Sequence, residues 1–491
     1  MEFKNNFIDF LVKFPTVSSP NKKLSIKEKM IWTLSILILY FILLNIPLFG
    51  MSSESIDLFE SYRAFFAGST GSILALGISP IVTASIILQL IISSNIIQLN
   101  FSSERDQEYY YQKFHKLLVV LMIIFESLPQ LFGYIKPNYN IAYSLGVNIN
   151  IILIIIFIQI FIGGLLLLFM DEIILKWGFG SGISLFIVAN ISQQLINGII
   201  NWTIGSDGLS IGLIPKWFSL IKNNILFTND WIYFLFHSGI LSLISTVTIF
   251  LFVVYIESIH IEIPLTHNSI KGTSGSYPVK LIYASVLPII FVRALQANIQ
   301  IIGTILSNKG ISFLGTFHNS MPINGFMYYF SPINSPYDWF PMLVSSKYLS
   351  YGYLPPSIIK IIFHIIIDSI FLLFGSILFS LFWVDTTGMN SKSLAKKIIN
   401  SGLQIPGFRR SIVAIEKIME RYIPKVTILG GFFIGLLTLF SSLLGTIGSS
   451  GGTGILLTVS IIYKFYENIA KEKSISEINN PMIQSLFENI K

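Results

Sequence analysis

INIILIIIFIQIFIGGLLLLFM runs from Ile149 to Met170 without one charged side chain. As a helix it is about 33 Å long at 1.5 Å per residue, enough to cross the ~30 Å hydrocarbon core of a bilayer. The same reading applied outward from it finds eight more clear spans: about 30–50, 116–135, 181–203, 232–256, 281–304, 357–384, 425–444 and 452–469. A tenth, 70–95, is apolar but interrupted by Gly77 and Pro80, and reads as a broken helix with residues near 56–75 not fully spanning. Hydrophobic residues make up 53% of the 491 and charged residues 12%, against roughly 25% charged in an average soluble protein. Mean hydropathy is +0.71. Such a chain cannot clothe a water-facing surface in charge. The expected fold is therefore an all-α integral membrane bundle of ten helices.

Basic residues set the orientation. Lys4, Lys13, Lys22, Lys23, Lys27 and Lys29 precede the first span, and Lys392, Lys396, Lys397, Arg409, Arg410, Lys417, Arg421 and Lys425 crowd the stretch 385–425. Ten spans place both, with the C-terminal tail, on one side. Both termini are thus expected to be cytoplasmic. Five spans per half is an odd number, so the halves are expected to be inverted relative to each other. The expected organisation is an amphipathic segment at 1–28, a first half at 29–204, an external loop at 205–230, a second half at 231–470 with cytoplasmic loops 257–280 and 385–425, and a tail at 471–491. Phe3, Phe7, Ile8, Phe10, Leu11 and Phe14, interleaved with Lys, give the amphipathic segment its interfacial pattern.

The absence of cysteine excludes disulfides and thiol chemistry. No GxxxxGK[ST] occurs, and the glycine-rich run 178–182 opens a membrane helix rather than following a strand, so no nucleotide fingerprint is present. No enzyme activity, cofactor or metal is expected. The ionisable residues within spans are Glu126, Arg293 and Asp368. Such groups are functional candidates by default. Arg293 is expected to pair with Asp368 or with Glu126. A small-solute transporter using these three groups is the runner-up reading, and a pore-free scaffold a third.

The strings LGISPIVTASIILQL (76–90), MDEI (170–173), GFGSGISLF (178–186), IEIPL (261–265) with IKG (270–272), WVDTTG (383–388) and GGTGILLTVS (451–460) resemble the SecY family in its archaeal form, which is related to the eukaryotic translocon α subunit. The resemblance runs nearly end to end and in register. It implies an hourglass pore between two five-helix halves, which passes unfolded polypeptide and opens sideways to lipid. It implies a pore ring at Ile78, Val82, Ile183, Ile187, Ile290 and Leu457. It implies a short plug helix at about 60–70, including Glu60, Arg63, Gly68, Ser69 and Thr70, although Ser69 stands where a basic residue is common. The lateral gate falls between helices two and three and helices seven and eight, with polar positions Thr83, Glu126 and Asn298. Lys271, Arg409 and Arg410 fall where the family docks the ribosome, although His260 and Ser269 stand where Arg is common. Arg293 departs from the usual small or apolar residue. The implied partners are a SecE-like clamp subunit, a small single-span β or SecG-like subunit, the ribosome, signal sequences, unfolded polypeptides and membrane lipid. The implied location is the cell membrane, or the endoplasmic reticulum if the chain is eukaryotic.

Overall fold

The computed structural model describes residues 15–22, 24–52, 66–93, 104–133, 135–204, 210–222, 238–267, 274–284, 286–318, 321–350, 352–401, 403–406, 411–448 and 451–478. The amphipathic pattern at 3–14, the plug residues Glu60 and Arg63, the loop residues Lys271, Arg409 and Arg410, and the tail beyond 478 lie outside the described residues.

Among the described residues, ten long helices carry the fold: α1 (Ile26–Asn45), α2 (Ser79–Ser93), α3 (Glu104–Gly133), α4 (Ile149–Trp177), α5 (Gly182–Ile200), α6 (Ile240–Ser258), α7 (Leu287–Asn308), α8 (Ile358–Thr386), α9 (Ile412–Leu444) and α10 (Gly451–Ile478). Each of the ten expected spans falls on one of them. The seven from α3 to α9 are long and apolar enough to cross a membrane. Boundaries depart from the hydropathy reading for local reasons. α1 stops at Asn45 because Pro47 holds Ile46 extended (φ −81°, ψ 114°). α9 starts thirteen residues before its apolar stretch at 425, where the Ser411 hydroxyl accepts from the Ala414 amide at 3.2 Å. The break expected in span two is real. The chain runs as turns up to Ser79, and Pro80 then sits in the first helical turn, where no amide hydrogen is needed.

The faces of α4 show how the bundle solves its solvent problem. Ile152, Ile156, Ile160, Gly163 and Leu167 are buried at helical spacing, while Ile151, Ile154, Ile158 and Ile162 are exposed. Both faces are apolar, as a helix between core and lipid requires. In the first half α1 packs on α4, α2 on α3, α3 on α4 and α4 on α5. In the second, α7 packs on α8, α8 on α9, and α6 on α9 and α10. Between the halves, α5 meets α10, while α2 meets both α7 and α8, and α3 meets α7. The α8–α9 contact is close because α9 presents small residues. A Cβ on Gly431 would stand 2.8 Å from the Ser380 hydroxyl and 3.0 Å from the Ile377 Cα. Across this gap the Ser376 hydroxyl donates to the Gly431 carbonyl at 2.8 Å.

On the face carrying the start of α1 and the end of α10, the hairpin β1 (His260–His267) and β2 (Ser274–Lys280) projects from α6. The opposite face carries β3 (Thr316–His318), β4 (Met321–Asn324) and short helices at Phe326–Phe330 and Pro341–Ser350. β5 (Leu403–Gln404) adds to the edge of β1, giving the order β2-β1-β5.

Candidate functional site

The six aliphatic positions come from four separate stretches of chain. Ile78 and Val82 stand at the start of α2, Ile183 and Ile187 one turn apart on α5, Ile290 on α7 and Leu457 on α10. The i, i+4 spacing within each of the first two pairs puts both members on one face. Five of the six are almost fully buried, from 0% exposure for Ile78, Ile187 and Leu457 to 3% for Val82. All five belong to one central apolar cluster, and the half-buried Ile183 packs against it.

The described end of the segment assigned to the plug, Phe66 to Thr70, reaches this cluster directly. Phe66 and Ala67 are members of it. The Ile78 amide donates to the Phe66 carbonyl at 2.6 Å, so the backbone at the start of α2 holds the segment. The Tyr40 hydroxyl on α1 donates to the Ala67 carbonyl at 2.7 Å, and its ring stacks on Phe186 at 4.8 Å. Gly77 has φ +57°, and a Cβ there would collide with the Phe66 carbonyl, so only glycine fits. Ala67 itself has φ +51°, an uncommon conformation for a non-glycine residue. Gly68 is buried, Ser69 partly exposed and Thr70 exposed. Replacing Tyr40 with Phe keeps the stacking and removes one buried hydrogen bond. At ~1 kcal/mol this raises the resting open probability of the reconstituted complex about fivefold. Single-channel recording reads it directly, and an unchanged open probability would show that the tether does not hold the segment.

Of the three polar seam positions, two touch. The Asn298 amide on α7 donates to the Thr83 hydroxyl on α2 at 3.3 Å. Glu126 is buried on α3 and lies beside Ser79 and Thr83. It does not join Arg293. Arg293, 1% exposed, pairs with Asp368 on α8 at 3.2 Å and also donates to the Gln296 side chain at 2.7 Å. The three ionisable groups named from sequence therefore separate into a carboxyl beside the start of α2 and an α7–α8 ion pair.

The comparisons with known proteins bear on this geometry. The SecY family profile matches residues 72–466, and the profile of the plug domain of Sec61p matches residues 38–71. The chain is 48% identical to protein translocase subunit SecY of Archaeoglobus fulgidus over 97% of both chains. The chain belongs to the SecY family. Among solved structures, a protein-conducting channel superposes with a TM-score of 0.76 at 35% identity, covering 95% of this chain and 97% of that one. Sec61 in a canine ribosome–channel complex from the endoplasmic reticulum superposes with a TM-score of 0.73, also at 35% identity, covering 95% and 97%. Membership makes the chain a mostly helical, multi-span channel subunit of the protein translocase, and not a member of a catalytic family.

Two features of this SecY-family chain were not drawn from its sequence. The first is Asp171. Its carboxylate accepts from the Ile183 amide at 3.0 Å and so caps the start of α5, which carries Ile183 and Ile187. A Cβ on Gly182 would stand 2.7 Å from that carboxylate oxygen. The MDEI and GFGSGISLF strings are thus one device for orienting α5. The signal was an acid eleven residues before a glycine-led helix start. The second feature is the sheet joining the two loops. Thr266 pairs with Gln404 and His267 with Leu403. The stretches bearing Lys271 and Arg409–Arg410 therefore depart from strand ends that are paired.

Proposed function

We propose that this chain is the passive pore of a Sec translocase, conducting unfolded polypeptide across the membrane and releasing apolar segments sideways into lipid. The observation that supports this reading is that Ile78, Val82, Ile187, Ile290 and Leu457, from four separate stretches of chain, are all buried in the bundle's apolar core, which Ile183 packs against and which also holds Phe66 and Ala67. An apolar constriction dewets and blocks ions, while aliphatic side chains yield around any passing residue without selecting its charge. Ile78, Val82, Ile183, Ile187, Ile290 and Leu457 form this gasket. Residues 60–70 form the plug beneath it.

Thr83, Glu126 and Asn298 line the lateral gate. Polar contacts of this kind hold helices together by about 1 kcal/mol each in a membrane. An arriving segment gains about 0.3–0.6 kcal/mol per Leu, Ile or Phe at the bilayer centre. Summed over a span this exceeds the seam, so the gate sorts by hydrophobicity. Lys271, Arg409 and Arg410 contact ribosomal RNA phosphates, which attract basic side chains irrespective of sequence. The paired strand ends beside them, and the channel–ribosome complex of the canine relative, support this. A SecE-like clamp subunit and a β or SecG-like subunit complete the complex. The chain resides in the cell membrane with both termini cytoplasmic, in the sense set by its basic residues.

The test is planar-bilayer conductance of the purified complex with and without residues 60–70. Large, fluctuating, weakly selective openings are expected on deletion. A silent bilayer from a folded, inserted complex would overturn the plug assignment and return attention to Glu126, Arg293 and Asp368 as transport groups.

A further inference from the structure

Arg293 lies one turn beyond the ring residue Ile290, on the same helix as the gate residue Asn298, yet it turns away from the seam toward α8. There it anchors a buried polar network. Asp368 accepts from the guanidinium at 3.2 Å, from the Gln296 amide at 3.0 Å and from the Ile333 amide at 3.4 Å. Gln296 also donates to the Phe330 carbonyl at 2.7 Å. One turn away on α8, His364 is bonded to the Ser331 carbonyl at 2.8 Å. The segment 326–333 is thus held by α7 through Gln296 and by α8 through His364 and Asp368. Phe330 adds an edge contact on Phe371 of α8 at 4.6 Å, and Phe291 of α7 another on Phe379 of α8 at 5.9 Å. Across the gate seam, by contrast, α7 reaches α2 through the 3.3 Å hydrogen bond of Asn298 to Thr83.

We propose that the Arg293–Asp368 pair, with Gln296 and segment 326–333, welds α7 to α8 so that the two move as one unit and the gate parts at the α2 side of α7. Arg293 is then a positioning residue for lateral release. The proposal rests on the lateral-gate reading. α2 packs on both α7 and α8, and α3 packs on α7. A welded unit must leave all of these contacts together, and that sets a high threshold of hydrophobicity for release. An unwelded α7 tilts alone, leaves fewer contacts, and lets marginally apolar segments escape. A buried ion pair between two elements is well suited to this. Its separation within the membrane is costly, whereas an amide–hydroxyl contact separates easily.

The test uses the full complex in proteoliposomes and translated chains carrying test segments of graded Leu and Ala content, scored as released to lipid or fully translocated. The chain has no cysteine of its own, so Thr83→Cys with Asn298→Cys reports the seam cleanly. Oxidising that pair must block release; if it does not, the gate reading itself fails, whatever Arg293 does. With that control in place, Arg293→Leu combined with Asp368→Leu removes the ion pair and the hydrogen bonds to Asp368 without leaving an unpaired charge. It is expected to raise the ratio of released to translocated chains at least about fivefold for a marginal segment, the ordinary size of a coupling between sites. The exchange Arg293→Asp with Asp368→Arg is expected to restore the parent ratio. An unchanged ratio in the leucine pair overturns the weld. So does an exchanged pair that melts like the parent and keeps the raised ratio.

Discussion

Asparagine in place of both Ile187 and Leu457 makes the resting complex leak ions at least about tenfold faster. Each side chain is fully buried in the central cluster. Burying one such aliphatic chain is worth about 1.5–3 kcal/mol, and every 1.4 kcal/mol is tenfold in an equilibrium. Two amides at the constriction supply the polar partners that a column of water needs. The control is Ile154→Asn on the exposed face of α4, where the side chain is not part of the cluster. Ion flux into vesicles, measured on complexes of equal reconstitution, separates the two. Equal sealing by the double variant and the parent would mean that the six residues are packing and not a gasket.

Arg293→Leu alone lowers the stability of the purified complex by about 3–5 kcal/mol, because it strands the Asp368 carboxylate in the bundle. Arg293→Leu with Asp368→Leu costs clearly less than the two single losses added together, since no charge is left unpaired, although the Gln296 and Ile333 amides lose the acceptor they share. Heat-induced unfolding in detergent, followed by size exclusion, compares the three proteins. Additive losses would mean that the pair does not interact. Strong non-additivity is the expected result for groups in contact. This experiment concerns cohesion only, and it stands apart from the release ratio that tests the weld.

The positions of the ten helices were legible in the sequence, because a run such as 149–170 has one low-energy way to sit in a bilayer. Every backbone polar group must be satisfied within the segment, and only a helix of that length does so. The break in span two was legible as well. Gly77 and Pro80 each restrict the backbone locally, and the turn before Ser79 follows from them. The helix ends were less so. α9 begins at Ile412, in a basic stretch that hydropathy assigns to a loop, because a Ser411 cap and packing against the helix Ser391–Asn400 extend it. The loop at 257–280 was read through its charge, and its strands went unnoticed. Their pairing with Leu403–Gln404 joins segments far apart in the chain.

The candidate site divides in the same way. Residue identity alone named Arg293, Asp368 and Glu126 as the ionisable groups of the spans, since a charge in an apolar run is conspicuous. It left the partner of Arg293 open, because the choice depends on how α7 is rotated against α8 and α3. That rotation is set by side-chain packing along the whole interface, and it brings Arg293 to a residue 75 positions away. The Tyr40 tether and the Asp171 cap were invisible for the same reason: each is a polar group whose meaning lies in which carbonyl or amide it faces. Hydropathy, charge bias and backbone restriction are properties of the chain read along its length, and they determined a ten-helix membrane bundle with a broken second span. Which faces meet, and therefore which polar groups pair across them, arises only when the helices pack, and that was decided by the tertiary structure.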